Sequence, residues 1–121
     1  MNRADRMPFP LAAAEAGASE WRAAVVVQRA AKPDHCQFYE LAGELVATLR
    51  ALEAMCEVLG RQVAGYGLGR VLRDDAGVNA AVRLADAADE LARTRELVAT
   101  AARTANGFWS AIGHISVEGE L

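Results

Sequence analysis

Two long stretches of the sequence carry apolar residues seven positions apart, and this repeat constrains the fold more than any other feature. The first stretch holds two such rows: Phe38, Leu45, Leu52, Leu59 and, four positions later, Ala42, Leu49, Cys56, Val63. Leu41 and Met55 widen the stripe. A heptad repeat over four periods is typical of a long helix with coiled-coil character. Asp34 and Gln37 have the spacing of a capping box, so the pattern predicts a helix over 34–64, about 45 Å long.

The second stretch repeats the same period further along the chain. Its main row consists of Leu84, Leu91, Val98, Ala105 and Ile112, and a neighbouring row consists of Ala88, Ala102 and Trp109. These rows predict a helix over 78–112, about 50 Å long. Asp74, Asp75 or Asn79 is its expected N-cap, and Gly113 is the expected stop. Because alanine lets helix backbones approach closely, we expect tight pairing that ends in an aromatic plug around Trp109.

Between the two predicted helices lies GYGLGR, residues 65–70. A phosphate-binding loop needs a strand before the glycines and a helix directly after them, and neither pattern is present. We therefore interpret 65–77 as a connector between antiparallel helices, with Gly65 as the left-handed C-cap of the first helix.

The remaining segments are shorter and less regular. We expect a flexible leader over 1–10, a helix over 11–31 with Trp21 and Val25 on one face, and an extended tail over 113–121. The prediction is an all-α single domain over 11–121. A long antiparallel helical hairpin forms its body, and the N-terminal helix completes a three-helix unit, or two hairpins form a four-helix bundle.

Composition favours the dimeric form of this fold. Only two Trp, two Tyr and three Phe are present among 121 residues, so the core contains few large side chains and we expect a homodimer.

Because the net charge is −3, binding to nucleic acid is not expected. No segment has the length and hydrophobicity of a membrane span, and the N-terminus lacks the apolar core of a signal peptide, so we expect a cytoplasmic protein. Lys32 is the one lysine among thirteen basic residues, a bias typical of actinobacterial codon usage.

Chemistry at a catalytic, cofactor or metal site is not predicted. The candidate metal ligands are His35, Cys36, Cys56 and His114. Cys36 and Cys56 would lie about 30 Å apart on one helix, and the adjacent His35 and Cys36 are expected to diverge. Ser110 and His114 lack the strained turn that presents a nucleophile. We therefore expect a non-enzymatic adaptor or regulatory protein.

Two groups of residues are candidates for contact with a protein partner. Tyr66, Leu68, Arg70 and Arg73 belong to the connector, where aromatic and arginine side chains in a loop are typical of binding hot spots. At the other end of the hairpin, Trp109 and Ile112 are further candidates, and core packing is the alternative interpretation for both.

A helical hairpin of this size resembles the WXG100, or ESAT-6-like, secreted proteins of actinobacteria over residues 35–112. The Trp-x-Gly turn of that family does not occur in GYGLG. Its Tyr-x-x-x-Asp/Glu export signal is also missing, since Gly43 follows Tyr39 by four positions and Arg70 follows Tyr66. The resemblance implies a secreted hairpin as an alternative function. A small nucleic-acid-associated accessory protein of a mobile element is a further alternative.

Overall fold

The computed structural model describes residues 9–119, which form three α-helices: α1 Phe9–Ala30, α2 His35–Ala64 and α3 Ala80–Ile112. Within this described range there is no β-strand, so the all-α prediction is confirmed. The chain divides into two compact units between Asp34 and His35. Each unit is described by itself below, and the single domain expected over 11–121 stays a prediction.

The first unit contains α1, which begins two residues before the predicted start. The expected leader over 1–10 is corrected at its end, because Phe9 and Pro10 are helical, and residues 1–8 lie outside the described range. Proline is tolerated in the first turn of a helix, where its missing N–H would have no partner. The three valines at 25–27 continue the helix in spite of their branched side chains and stay exposed. No residue of α1 is buried.

The second unit consists of α2 and α3, which pack against each other along their length. The ring centroids of Tyr39 and Trp109 are 5.8 Å apart. Further along, Glu57 Oε2 lies 3.4 Å from Arg95 Nη2. Early residues of α2 therefore meet late residues of α3, and the two helices run antiparallel. We call the end that holds His35 and Ile112 the open end.

The contact between α2 and α3 is made by small side chains. Ala42, Val46 and Ala102 are the buried apolar residues of this unit, with exposed fractions of 2%, 9% and 0%. Half-buried residues extend the seam of α2 at alternating intervals of three and four: Leu49, Glu53, Cys56, Gly60 and Val63. The predicted row through Ala42 and Leu49 thus belongs to the seam. The row of leucines at 45, 52 and 59 does not, and these side chains are 40–49% exposed.

The connector differs from the prediction at Gly65. Its N–H donates to Arg61 O at 3.2 Å, and Leu68 N–H donates to Gly65 O, so the chain leaves α2 through further tight turns. The left-handed residues of the connector are Gly69 (φ 72°) and Gly77 (φ 79°), where glycine avoids the Cβ clash of that conformation. The reversal therefore occurs later than expected.

Both ends of α3 lie close to their predicted positions. Of the three candidate caps, Asn79 is the one that caps the helix, since its Oδ1 accepts from Ala81 N at 2.9 Å and Val82 N at 3.2 Å. Gly113 follows the last helical residue in a right-handed conformation, and its N–H donates to Trp109 O at 3.1 Å.

Candidate functional site

The connector brings three of the predicted contact residues together in one exposed cluster. The guanidinium of Arg70 lies over the ring of Tyr66, 4.2 Å from its centroid, and Nη1 donates to Tyr66 O at 2.9 Å. Leu68 is 81% exposed beside them. Arg73 is also exposed, three residues further along. We call Tyr66, Leu68, Arg70 and Arg73 the tip. The cation–π contact and the hydrogen bond hold the Arg70 side chain against Tyr66.

Asp74 organises the chain between the tip and α3. Its Oδ2 accepts from Ala76 N at 2.9 Å and from Val78 N at 3.1 Å, and its Oδ1 accepts from Arg83 Nε at 2.7 Å. The Arg83 hydrogen bond, followed by the bond from Val78 N–H, lowers the pKa of the Asp74 carboxyl below its ordinary value of 3.8. The same pair raises the pKa of Arg83. A short polar network therefore anchors the connector to the first turns of α3.

A cavity of about 630 Å³ lies beside the tip. Leu68 and Arg70 line it from the connector, and Leu84 and Ala88 line it from α3. Its walls combine aliphatic side chains with the oppositely charged side chains of Arg70 and Asp89.

Trp109 lies at the open end and packs inside the second unit. A Cβ atom placed on Gly43 would lie 3.1 Å from Trp109 Cζ2, so the indole ring fits directly against the backbone of α2. Within the described residues, the Trp109 indole nitrogen is buried without a hydrogen-bond partner. Ile112 is half-buried at the same end. These positions agree with the core-packing alternative for both residues.

The leucine row of α2 is part of a larger exposed surface. If the seam occupies heptad positions a and d, Leu45, Leu52 and Leu59 occupy g and Met55 occupies c; on α3, Phe108 occupies g and Leu97 occupies c. Equivalent flanking positions of two antiparallel helices lie on the same side of the pair, because the helices point in opposite directions and face each other. We call these six residues the apolar face. Their exposed fractions range from 40% to 65%.

His35 and Cys36 do not diverge as expected. Cys36 Sγ lies 3.6 Å from His35 Nε2, and one ligand atom each of Asp34, His35 and Cys36 lies within 4.8 Å of the others. His35 and Cys36 also line a cavity of about 670 Å³ at the open end, together with Glu40, Trp109 and His114. Cys56 lies on the same helix outside this group, and neither cysteine belongs to a disulfide.

Heptad spacing alone did not separate the apolar face from the buried seam, because both follow the same period. The signal that distinguishes them is side-chain size. The buried positions at 42 and 102 are alanines, whereas leucine, methionine and phenylalanine occupy the exposed ones.

None of the described helices combines the length and hydrophobicity needed to cross a bilayer. The chain matches no known protein-family model, no curated protein and no solved structure.

Proposed function

We propose that this chain is a non-enzymatic interaction protein that acts as a homodimer. In the proposal, α2 and α3 form a hairpin of coiled-coil character, and the apolar faces of two copies meet to form a four-helix bundle. The tip of each copy then contacts a further protein as an adaptor or regulator. The observation that carries the proposal is the exposed apolar face, whose large side chains are 40–65% accessible.

The row of α2 on the apolar side contains no charge over seven turns. Its members are Phe38, Leu41, Leu45, Thr48, Leu52, Met55, Leu59 and Gln62. A helix face that points permanently to water carries charged residues, as the opposite side of α2 does with Glu57 and Arg61. Large contiguous apolar patches on single proteins mark interaction sites. The composition of the row therefore supports a macromolecular partner.

A second copy of the chain offers side chains that fit this row. A symmetric partner presents the same leucines to one another, which is the self-complementarity that a two-fold interface requires.

The side of the α2–α3 pair that holds the uncharged row of α2 has an area compatible with a stable dimer. From Phe38 to Leu59 the row spans about 32 Å, and two neighbouring helices give a face roughly 18 Å wide. Each copy would then bury roughly 600 Å², or about 1,200 Å² in total, which reaches the lower range of specific interfaces.

The tip supports contact with an acidic protein surface. Arg70 and Arg73 provide exposed positive charge, and Tyr66 and Leu68 provide apolar area next to it. Aromatic and arginine side chains are enriched among residues that dominate binding energy. The proposal places the dimer in the cytoplasm, where the thiols of Cys36 and Cys56 stay reduced.

Sedimentation equilibrium of two matched variants tests the dimer interface. Leu52 and Val58 lie on the same helix with exposed fractions of 49% and 48%, but only Leu52 belongs to the apolar face. Leu52→Glu places a charge in the interface and is expected to raise the dimer dissociation constant more than about a hundredfold, a loss of about 3 kcal/mol. Val58→Glu should leave the constant within about threefold of wild type. Equal effects of both variants would contradict the proposal.

A further inference from the structure

We propose that Asp34, His35 and Cys36 bind a single divalent transition-metal ion, of which Zn²⁺ is the best match. The three residues are consecutive in the chain and offer a carboxylate oxygen, an imidazole nitrogen and a sulfur. Thiolate and imidazole together select zinc and its neighbours over magnesium or calcium. This inference does not depend on the proposed dimer.

The separation of the two softer ligand atoms fits tetrahedral coordination. Zn–S bonds of about 2.3 Å and Zn–N bonds of about 2.05 Å at a tetrahedral angle place sulfur and nitrogen about 3.5 Å apart. Cys36 Sγ and His35 Nε2 are 3.6 Å apart. Both atoms can therefore reach one ion with almost no change in their mutual distance.

The carboxylate of Asp34 supplies the third ligand. Its oxygen lies within 4.8 Å of the other two ligand atoms. Asp34 and Cys36 are both exposed, so an ion in solution can reach their ligand atoms. A cation near the amino end of α2 meets the positive end of the helix dipole. The two negative charges of a carboxylate and a metal-bound thiolate offset that repulsion.

The open-end cavity leaves room for the fourth coordination position. His35 and Cys36 line this cavity of about 670 Å³. Three protein ligands plus a water molecule are the usual arrangement of an open zinc site. His114 lines the same cavity without belonging to the ligand cluster, so it provides a control for specificity.

Titration of the reduced 121-residue chain with Co²⁺, a spectroscopic substitute for Zn²⁺, tests this site. We expect one Co²⁺ per chain, a thiolate-to-cobalt charge-transfer band in the near ultraviolet, and the intense visible bands of tetrahedral cobalt. One equivalent of Zn²⁺ should remove these bands. A wild-type protein without a charge-transfer band would overturn the proposal.

Single substitutions assign the ligands. Cys36→Ser should abolish the charge-transfer band, whereas Cys56→Ser and His114→Gln should retain it with unchanged affinity. His35→Gln and Asp34→Asn should each weaken Co²⁺ binding more than about tenfold, because even residues that only orient a ligand change affinity by roughly 10–100-fold. Circular dichroism verifies that each variant keeps its helices. A band that survives in Cys36→Ser, or that requires Cys56 or His114, would contradict the assignment.

Discussion

Gly43 allows α2 to approach α3 closely at the open end. A Cβ atom at this position would lie 3.1 Å from Cζ2 and 3.2 Å from Cε2 of the Trp109 indole, which is shorter than an ordinary van der Waals contact of a Cβ atom. The indole cannot retreat easily, because the ring of Tyr39 lies against it at 5.8 Å between centroids. Gly43 thus leaves the space that the Trp109 ring occupies.

Gly43→Ala is expected to destabilise the protein relative to a matched helical glycine. The added methyl group forces the indole or the helix to shift, which typically costs about 1–3 kcal/mol. In Gly107→Ala, nothing lies within 4 Å of the new methyl group, so the better helix propensity of alanine should stabilise α3 by about 0.5–1 kcal/mol. Chemical denaturation at one protein concentration measures both free energies of unfolding. If Gly43→Ala is as stable as Gly107→Ala, the close contact does not exist in solution.

The ion pair of Asp74 and Arg83 makes the free energy of unfolding depend on pH in the acidic range. The folded state lowers the pKa of Asp74 below 3.8 through Arg83, so the charged carboxylate favours folding. This contribution is fully present above the ordinary Asp range, and it is lost as the pH falls below about 4 and through the lowered folded pKa.

Asp74→Asn should remove that dependence. At pH 7 the wild-type protein should be more stable than the variant, and the difference in free energy of unfolding should shrink as the pH is lowered toward 3. Urea denaturation at several pH values measures the difference, in which the titration of the other carboxyl groups cancels. A difference that stays constant from pH 7 to pH 3 would rule out the ion pair as its source.

Among the elements, the connector combines an exposed tip with an anchored base. Tyr66 is 50% exposed and Leu68 81%, whereas the side chain of Asp74 is only 5% exposed. The tip therefore contributes little to packing, and the network around Asp74 supports the conformation of the base.

The double variant Tyr66→Ala with Leu68→Ala should leave the melting temperature nearly unchanged and weaken capture of a protein partner. Removal of exposed side chains usually changes stability by less than about 0.5 kcal/mol per site. Asn79→Ala is the comparison, since loss of its cap on α3 should cost about 1 kcal/mol while the tip stays intact. Thermal denaturation and affinity capture on immobilised protein measure the two effects. A large fall in the melting temperature of the tip variant would show that the tip is structural.

Much of the element order follows from the sequence, because the heptad rows extend over whole helices. The ends of α2 and α3 lie within two residues of the predicted bounds. The face of α2 that turns toward α3 was less predictable. The rows through Leu45 and through Ala42 share one period. Which row packs against α3 depends on the space between the two helices.

The heptad spacing of the sequence could not predict local backbone and side-chain geometry. Gly65 continues the turns of α2 because its N–H donates to Arg61 O. The left-handed conformation therefore occurs at Gly69 instead. Cys36 Sγ lies near His35 Nε2 because both residues lie in the first turn of α2, where rotamers decide the distance. A heptad pattern carries no information about such rotamers.

For the whole molecule, the central feature is the mismatch between a small buried seam and a large exposed apolar face. The buried apolar residues of the α2–α3 unit are two alanines and a valine. Leucine, methionine and phenylalanine side chains stay half exposed on one side. Full burial of such side chains stabilises a protein by about 1.5–3 kcal/mol each. Association through this face would therefore provide much of the stability that a single copy lacks.

The mass of the wild-type protein in solution tests this account most directly. Light scattering behind size exclusion, over a hundredfold range of concentration, should give twice the chain mass of 12.9 kDa at high concentration. Dilution should shift the mass toward that of one chain, since folding and association are coupled by mass action. A stable, fully helical species of 12.9 kDa at every concentration would contradict the proposed dimer.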